Sequence, residues 1–530
     1  MSKNIVLCSD GTGATAMKNR GTNVFKLYEA VDLHSHAHVH DHEDGHRHDD
    51  GHRHDEGHRH DEGDGDQPTE PTAQVAFYDD GVGTERLKVP RMLGGAIGWG
   101  LSRNVKQLYA ELVHAYEPGD QIYLFGFSRG AFTVRTLAGL IVDQGILDRK
   151  KMHDEDDLWG KVNEAYARYR QRYSRRAMVT NLIAKITAAC RRTPEVDTFR
   201  QDYCVSHDDW EEEGKVPIRF LGVWDTVDAV GLPSDFLADR INQFIYRFKF
   251  PDLCLSNHVE QARHALAVDD QRKTFHPVMW DEQGDSSDHL QQVWFSGVHS
   301  NVGGGYSRHG MSLVSLDWMM TEAEQAGLRF IPSIREAYHF RQNVNDKLFD
   351  SRRGRGAIYR YRPRDIGRIC VDSHHDPRLH ASIFERIIQG TNGYAPGNLP
   401  LGKDVELVSN EVGHEDDAIH EHYNTIKQVI RQASPLLPTV RWKGVWRRHA
   451  IWLFLIGLAA VVYAGLQPGL EGDCLWSMAV SFTLNLISCR GAASLVFLLI
   501  LGVISWQARE QMQASFSRFW CAQFRRLHDD

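Results

Sequence analysis

The chain has 530 residues, 42% hydrophobic and 25% charged, a globular composition with room for several domains at ~150 residues each, which excludes a wholly disordered or fibrous protein. Eleven His, eleven Asp or Glu and three Arg fall between residues 34 and 66, so that stretch carries nearly all of the formal charge of −9. The nearly neutral remainder argues against nucleic acid as the main partner.

Residues 3–9 (KNIVLCS) form an apolar run too short for a signal peptide and without a small-residue cleavage site behind it, so the run reads as a buried strand and Sec export is not expected. Residues 22–31 follow with a helical pattern. The histidine-rich stretch 34–66 contains a six-residue repeat, GHRHDD, GHRHDE and GHRHDE. Such a segment cannot bury a core and is expected to be a disordered surface insertion. Its imidazoles can bind transition metals adventitiously, but no cofactor is required and no metal site is assigned.

Strands are then predicted at 75–78, 121–127, 218–224 and 292–298, and helices at 101–116, 129–146, 259–268 and 313–326. Apolar strands without alternation, separated by helices, suit a parallel sheet covered on both faces. Residues 147–215 are expected to be a helical insertion and 328–440 a lid or accessory part of one domain spanning 1–440. The eight cysteines are spread singly with no CxxC pair, which points to mostly reduced thiols.

From residue 441 the composition changes. Residues 450–466 and 492–506 carry no charge; at ~1.5 Å per residue they span about 25 and 22 Å, and the flanking Trp446 and Gly491 extend them toward the ~30 Å hydrocarbon core. Arg441, Lys443, Arg447 and Arg448 precede the first run and Arg509, Arg518, Arg525 and Arg526 follow the second, whereas Arg490 is the one basic residue between them. This pattern predicts a transmembrane hairpin over 441–530 with both termini cytoplasmic. Cys474 and Cys489 would lie in its outer turn.

The chemistry is carried by Gly126-Phe127-Ser128-Arg129-Gly130, a G-x-S-x-G between an apolar strand and a helical pattern. Glycines at both ends allow a sharp elbow that lifts the Ser128 hydroxyl to the carboxyl edge of the sheet, with the Arg129 backbone N–H placed to donate to an oxyanion. The bland alternative is a tight turn with a capping serine. A nucleophilic serine needs an acid and a base, and Asp225 closes the strand IRFLGVW while His299 follows VWFSGV. Asp228 is the second choice of acid. His258, His264, His276 and His309 lack a position at a strand's carboxyl end. The glycine-rich turn Ser9-Asp10-Gly11-Thr12-Gly13 ends the first strand at the same edge. Thr12 is the best second oxyanion donor, and Asp10 braces the turn.

These blocks, with FYDDGVGT at 77–84, ARHALAVDDQRKTFHPVMW at 262–280 and YAPGNLP at 394–400, resemble an α/β-hydrolase family of bacterial and fungal proteins that includes the type VI secretion lipase effectors of the first Tle class. The resemblance implies a Ser128, Asp225, His299 triad and phospholipase or lipase activity. The motif often reads His-Ser-Asp-Val-Gly-Gly-Gly-Tyr in the family, and this chain departs from it at Asn301.

The sequence therefore predicts an α/β-hydrolase-like, mostly parallel sheet and a serine ester hydrolase acting on phospholipid or another acyl ester at a membrane. The rival reading is a membrane-anchored, non-catalytic scaffold on a hydrolase fold. The expected location is the bacterial inner membrane with the catalytic domain cytoplasmic, or alternatively the periplasm of a target cell, with a secretion-system or immunity partner.

Overall fold

The computed structural model describes residues 2–11, 21–33, 72–80, 95–182, 198–205, 218–227, 253–284, 288–352, 359, 362–400 and 403–410, with short pieces and single positions beyond 423. The strands are β1 (Lys3–Ser9), β2 (Ala73–Asp79), β3 (Gln121–Phe127), β4 (Ile218–Trp224), β5 (Val259–Ala267), β6 (Leu290–Phe295), β7 (Arg378–His380) and β8 (Glu406–Val408). They form one sheet in the order β2-β1-β3-β4-β5-β6-β7-β8, and all neighbouring pairs are parallel.

Helices lie on both faces. Among them are α1 (Asn23–Ala30), α2 (Gly95–Ala115), α3 (Arg129–Gln144), α4 (Glu155–Leu182), α5 (Phe199–Tyr203), α6 (His299–Val302) and α7 (Gly310–Gln325). Ile5, Leu7, Ile122 and Leu124 point to one face and join Val105, Leu108, Leu137 and Leu140 of α2 and α3. The alternate residues Val6, Cys8, Tyr123 and Phe125 point to the other and join Val24 and Leu27 of α1 and Leu316, Met319 and Met320 of α7. Both strand faces are covered, so neither needs polar residues, and the strands read as continuous apolar runs. Full burial of each such side chain contributes roughly 1.5–3 kcal/mol relative to exposure.

Residues 259–268, predicted helical, form strand β5. Their alanine-rich, Arg- and His-containing sequence has helix-like spacing, but the strand is central and its polar groups are partnered: Arg263 Nε donates to Glu322 at 2.6 Å, and His264 Nε2 accepts the Thr226 N–H at 3.1 Å. The strand expected over 292–298 ends at Phe295, and Gly297, at φ 122°, turns the chain so that His299 opens α6. The described part of 147–215 contains α4 and α5. The described part of 328–440, expected as a lid or accessory part, also supplies β7 and β8, which extend the sheet beyond β6.

Among the described residues no helix is long and apolar enough to cross a membrane. Most of 450–466 and six residues of 492–506 lie outside those residues, as do the insertion 34–66, Cys474 and Cys489. Cys8, Cys204 and Cys370 are buried free thiols.

From β1 the chain crosses to β2 on one side, and β3 lies on the other. The carboxyl end of such a switch in strand order leaves a crevice where α/β sheets bind ligands. Ser9 to Gly11 and Ser128 meet there.

Candidate active site

Strand β3 runs directly into α3 through Ser128, whose backbone is held at φ 58° and ψ −117°. Residues with side chains rarely occupy that region, and the surrounding packing must hold it. Two glycines make the turn possible. A Cβ on Gly126 would lie 2.6 Å from the Gly130 carbonyl oxygen, and one on Gly130 would run into the Ser9 carbonyl. The start of α3 therefore packs backbone-to-backbone on the end of β1. Gly11 completes this contact, since a Cβ there would sit 3.3 Å from Ser128 Cβ.

Ser128 occupies the N-cap position of α3 yet makes no side-chain capping bond. Its Oγ instead lies 2.8 Å from His299 Nε2, which removes the capping-serine alternative. The imidazole packs against Phe127, ring centroids 4.6 Å apart, and meets Phe275 edge-on at 5.0 Å. The glycines after His299 serve this placement. A Cβ on Gly303 would collide with the Phe127 ring, and the Asn23 N–H at the start of α1 donates to the Gly303 carbonyl at 2.9 Å.

Asp225 is fully buried at φ 40°, just past β4, with its Oδ2 2.6 Å from His299 Nδ1. Its Oδ1 accepts the Ala267 N–H at 3.0 Å. Arg364 grips both oxygens, Nη1 to Oδ1 at 2.6 Å and Nη2 to Oδ2 at 2.8 Å, and also donates to the Ala267 and Phe275 carbonyls. Burial opposes ionisation of Asp225, but Arg364 and the His299 hydrogen bond outweigh it and hold the carboxyl well below the usual carboxylate range. Burial has the opposite consequence for His299, lowering its pKa by more than Asp225 raises it. A neutral imidazole with Nδ1–H directed at Asp225 leaves Nε2 free to accept from the serine hydroxyl.

The backbone supports the array as well. The His299 N–H donates to Asp270 Oδ2 at 3.3 Å, and Asp270 is itself held by Arg272 through Nη2 at 2.7 Å and Nε at 3.1 Å. Asp10 accepts from the Gly11 N–H at 2.6 Å, the Thr22 hydroxyl at 2.5 Å and the Tyr78 hydroxyl at 2.7 Å, fixing the turn beside Ser128. Burial raises its pKa to about 6 despite these donors and nearby Lys26. The Arg129 N–H, first in α3, has no intrahelical acceptor. Thr12 and Asp228 lie outside the described residues.

The sequence-selected Ser128, Asp225 and His299 thus come together, whereas the other histidines have separate partners. His264 is bonded within the sheet, His276 pairs with the Arg362 carbonyl at 2.9 Å, His309 occupies the N-cap position of α7 without a side-chain capping bond, and His258 sits on the exposed approach to β5. Sequence reasoning missed Arg364, Asp270, Arg272 and Phe275. The last three lie in the loop after β5, inside the block DDQRKTF, where a run of polar residues behind a strand end was the available signal. Arg364 offered none. Asn301 is buried, and its amide donates to the Lys347 carbonyl at 3.0 Å and accepts from the Phe349 N–H at 3.2 Å. An aspartate could not make the first of these bonds. Among the described residues no group of three or more His, Cys, Asp or Glu could hold a metal ion.

Fold and site together define a parallel α/β protein with a Ser–His–Asp hydrogen-bonded array at the carboxyl edge of its sheet. The family model for the T6SS phospholipase effector Tle1-like catalytic domain matches residues 3–322, and the chain belongs to that family. An uncharacterized Saccharomyces cerevisiae protein, YEL023C, is 27% identical over 287 residues, covering 52% of this chain and 32% of that protein. An uncharacterized Pseudomonas aeruginosa protein of known crystal structure aligns at 18% identity and a TM-score of 0.33, over 65% of this chain and 49% of its own. A structure of the Tle1 effector bound to the VgrG spike from the Type 6 secretion system aligns at 15% identity and a TM-score of 0.28, over 58% and 52%. The chain thus spans about a third of the yeast relative and about half of each solved chain.

Proposed function

We propose that the protein is a serine ester hydrolase that cleaves glycerophospholipids by acyl transfer. The observation that carries this reading is the continuous array from Ser128 Oγ through His299 to buried Asp225, with separations of 2.8 and 2.6 Å. In the first step His299 Nε2 takes the Ser128 proton as Oγ attacks the ester carbonyl. Asp225, kept ionised by Arg364, stabilises the imidazolium that forms. The developing oxyanion is met by the Arg129 N–H, with Thr12 as the second donor. His299 then protonates the leaving alcohol, and water, activated by the same ring, hydrolyses the acyl-enzyme.

Family membership supports phospholipid as substrate and favours delivery into a target cell, with a component of the secretion system as partner, over residence in the producing cell's inner membrane. Membrane action is supported further by the C-terminal segment, where Val496, Leu499, Ile500, Val503 and Trp506 each expose half or more of their surface. The hairpin over 441–530 is the corresponding proposal, and full-length protein that leaves membranes in a carbonate wash would remove it. The reaction is tested by product analysis on mixed phospholipids. Wild type should release fatty acid and lysophospholipid, the Ser128→Ala form neither, and equal release by both would refute the reading.

A further inference from the structure

The chain beyond residue 360 grips the exit of β5 at three consecutive residues. The Ala267 carbonyl accepts from Arg364 Nη1, the Val268 carbonyl from Asn398 Nδ2 at 2.7 Å, and Asp269 Oδ2 from the Tyr394 hydroxyl at 2.9 Å. The Tyr394 ring is buried in the apolar cluster that holds Leu266, Val268, Trp294 and Leu399. Asp269 carries the contact onward to the turn before His299. Its N–H donates to the Gly297 carbonyl at 2.9 Å, and its Oδ2 accepts the Gly297 N–H at 2.7 Å. Gly297, at φ 122°, is the pivot that turns the chain from β6 into α6, two residues before His299. A Cβ there would lie 2.5 Å from Asn301 Cβ.

A glycine has no side chain to limit its own rotation, so its hydrogen bonds must define the turn. One carboxylate oxygen, Asp269 Oδ2, receives both the Gly297 N–H and the Tyr394 hydroxyl, and the hydroxyl thereby fixes the acceptor on which the pivot rests. His299 has to reach Ser128 and Asp225 at once, at 2.8 and 2.6 Å. Rotation at the pivot would lengthen both bonds, and a misplacement on the order of 1 Å can cost roughly 10²-fold in rate. We propose that Tyr394 is a positioning residue for the reaction: through Asp269 and Gly297 its hydroxyl sets the placement of His299 between Ser128 and Asp225. The proposal rests on the reading of His299 as general base. It gives the YAPGNLP block at 394–400, which lies beyond the family match at 3–322, a part in the active site.

The test uses full-length Tyr394→Phe, which removes the hydroxyl and keeps the packed ring, with monomeric dihexanoyl phosphatidylcholine as substrate. The proposal expects kcat to fall by roughly ten-fold or more while KM stays within about two-fold and the melting temperature moves little. Adding Tyr394→Phe to Asp269→Ala should cost nothing further, since the hydroxyl acts through that carboxylate. An unchanged kcat overturns the proposal. So does a loss that appears as a lower melting temperature and a smaller active fraction turning over at the wild-type rate, which is the signature of a structural role. A second readout needs no turnover: the downfield proton signal of His299 Nδ1–H on Asp225, assigned by its absence in His299→Ala, should shift or broaden in Tyr394→Phe. Should wild type cleave neither this lipid nor a short-chain ester, the hydrolase reading fails and the signal alone decides: a changed signal sustains the positioning of the ring by Tyr394, and an unchanged one overturns it.

Discussion

Arg364 meets both oxygens of Asp225, at 2.6 and 2.8 Å, although 139 residues separate them in the chain. Both side chains are buried, so neither charge can fall back on water. Among the described residues, replacing Arg364 by Ala leaves the buried carboxylate facing His299 and a backbone N–H. The expected cost is about 3–5 kcal/mol of stability, read by thermal unfolding. Ester hydrolysis should fall with it, and Arg364→Lys should recover part of the charge but not the two-pronged geometry. An Arg364→Ala protein with unchanged melting temperature would contradict this account of Asp225.

The pH dependence follows from His299. In its proposed role of general base it works only when neutral, and burial sets its pKa below the ordinary value of about 6.5. Activity should therefore be on its plateau at neutral pH and fall as pH drops through a midpoint below about 6.5. Because the folded pKa is the lower one, the neutral ring also contributes stability that is full above the unfolded value and lost as pH falls through the folded one. A profile of kcat/KM whose acid limb is centred above about 6.5 would count against this environment for the base.

Gly130→Ala places a methyl against the Ser9 carbonyl, a backbone atom that cannot swing away. The substitution changes no charge and no catalytic side chain. It should nevertheless cost about 1–3 kcal/mol and displace Ser128 enough to depress turnover, visible as a lower kcat with a lowered melting temperature. Wild-type stability and rate in this variant would mean the helix does not rest on β1 as described.

Asn301→Asp removes the donor to the Lys347 carbonyl and brings a charge into a buried position. Loss of about 1–3 kcal/mol is expected in urea unfolding. Added divalent metal should not restore it, and metal-dependent recovery would show that the position had been converted into a ligand.

Most of the sheet was legible because strands covered on both faces admit long apolar runs, as in KNIVLCS and QIYLFGF. Strand β5 was not, since Ala262, Arg263, His264 and Ala265 favour a helix locally and only the neighbours β4 and β6 supply the partners that make a strand of them. Strands β7 and β8 are three residues each, too short to leave a pattern. Ser128, Asp225 and His299 were readable because each follows an apolar strand and so falls at one edge. Arg364 sits in no motif and acts by tertiary placement alone, which local sequence does not encode.

The central claim is that Ser128 is the nucleophile activated by His299, and it is tested most directly by fluorophosphonate labelling of the intact protein with the modified residue mapped by mass spectrometry. The account predicts a single adduct on Ser128, absent in Ser128→Ala and slowed by orders of magnitude in His299→Ala. An adduct on another residue, or labelling of Ser128 at an unchanged rate without His299, would contradict it.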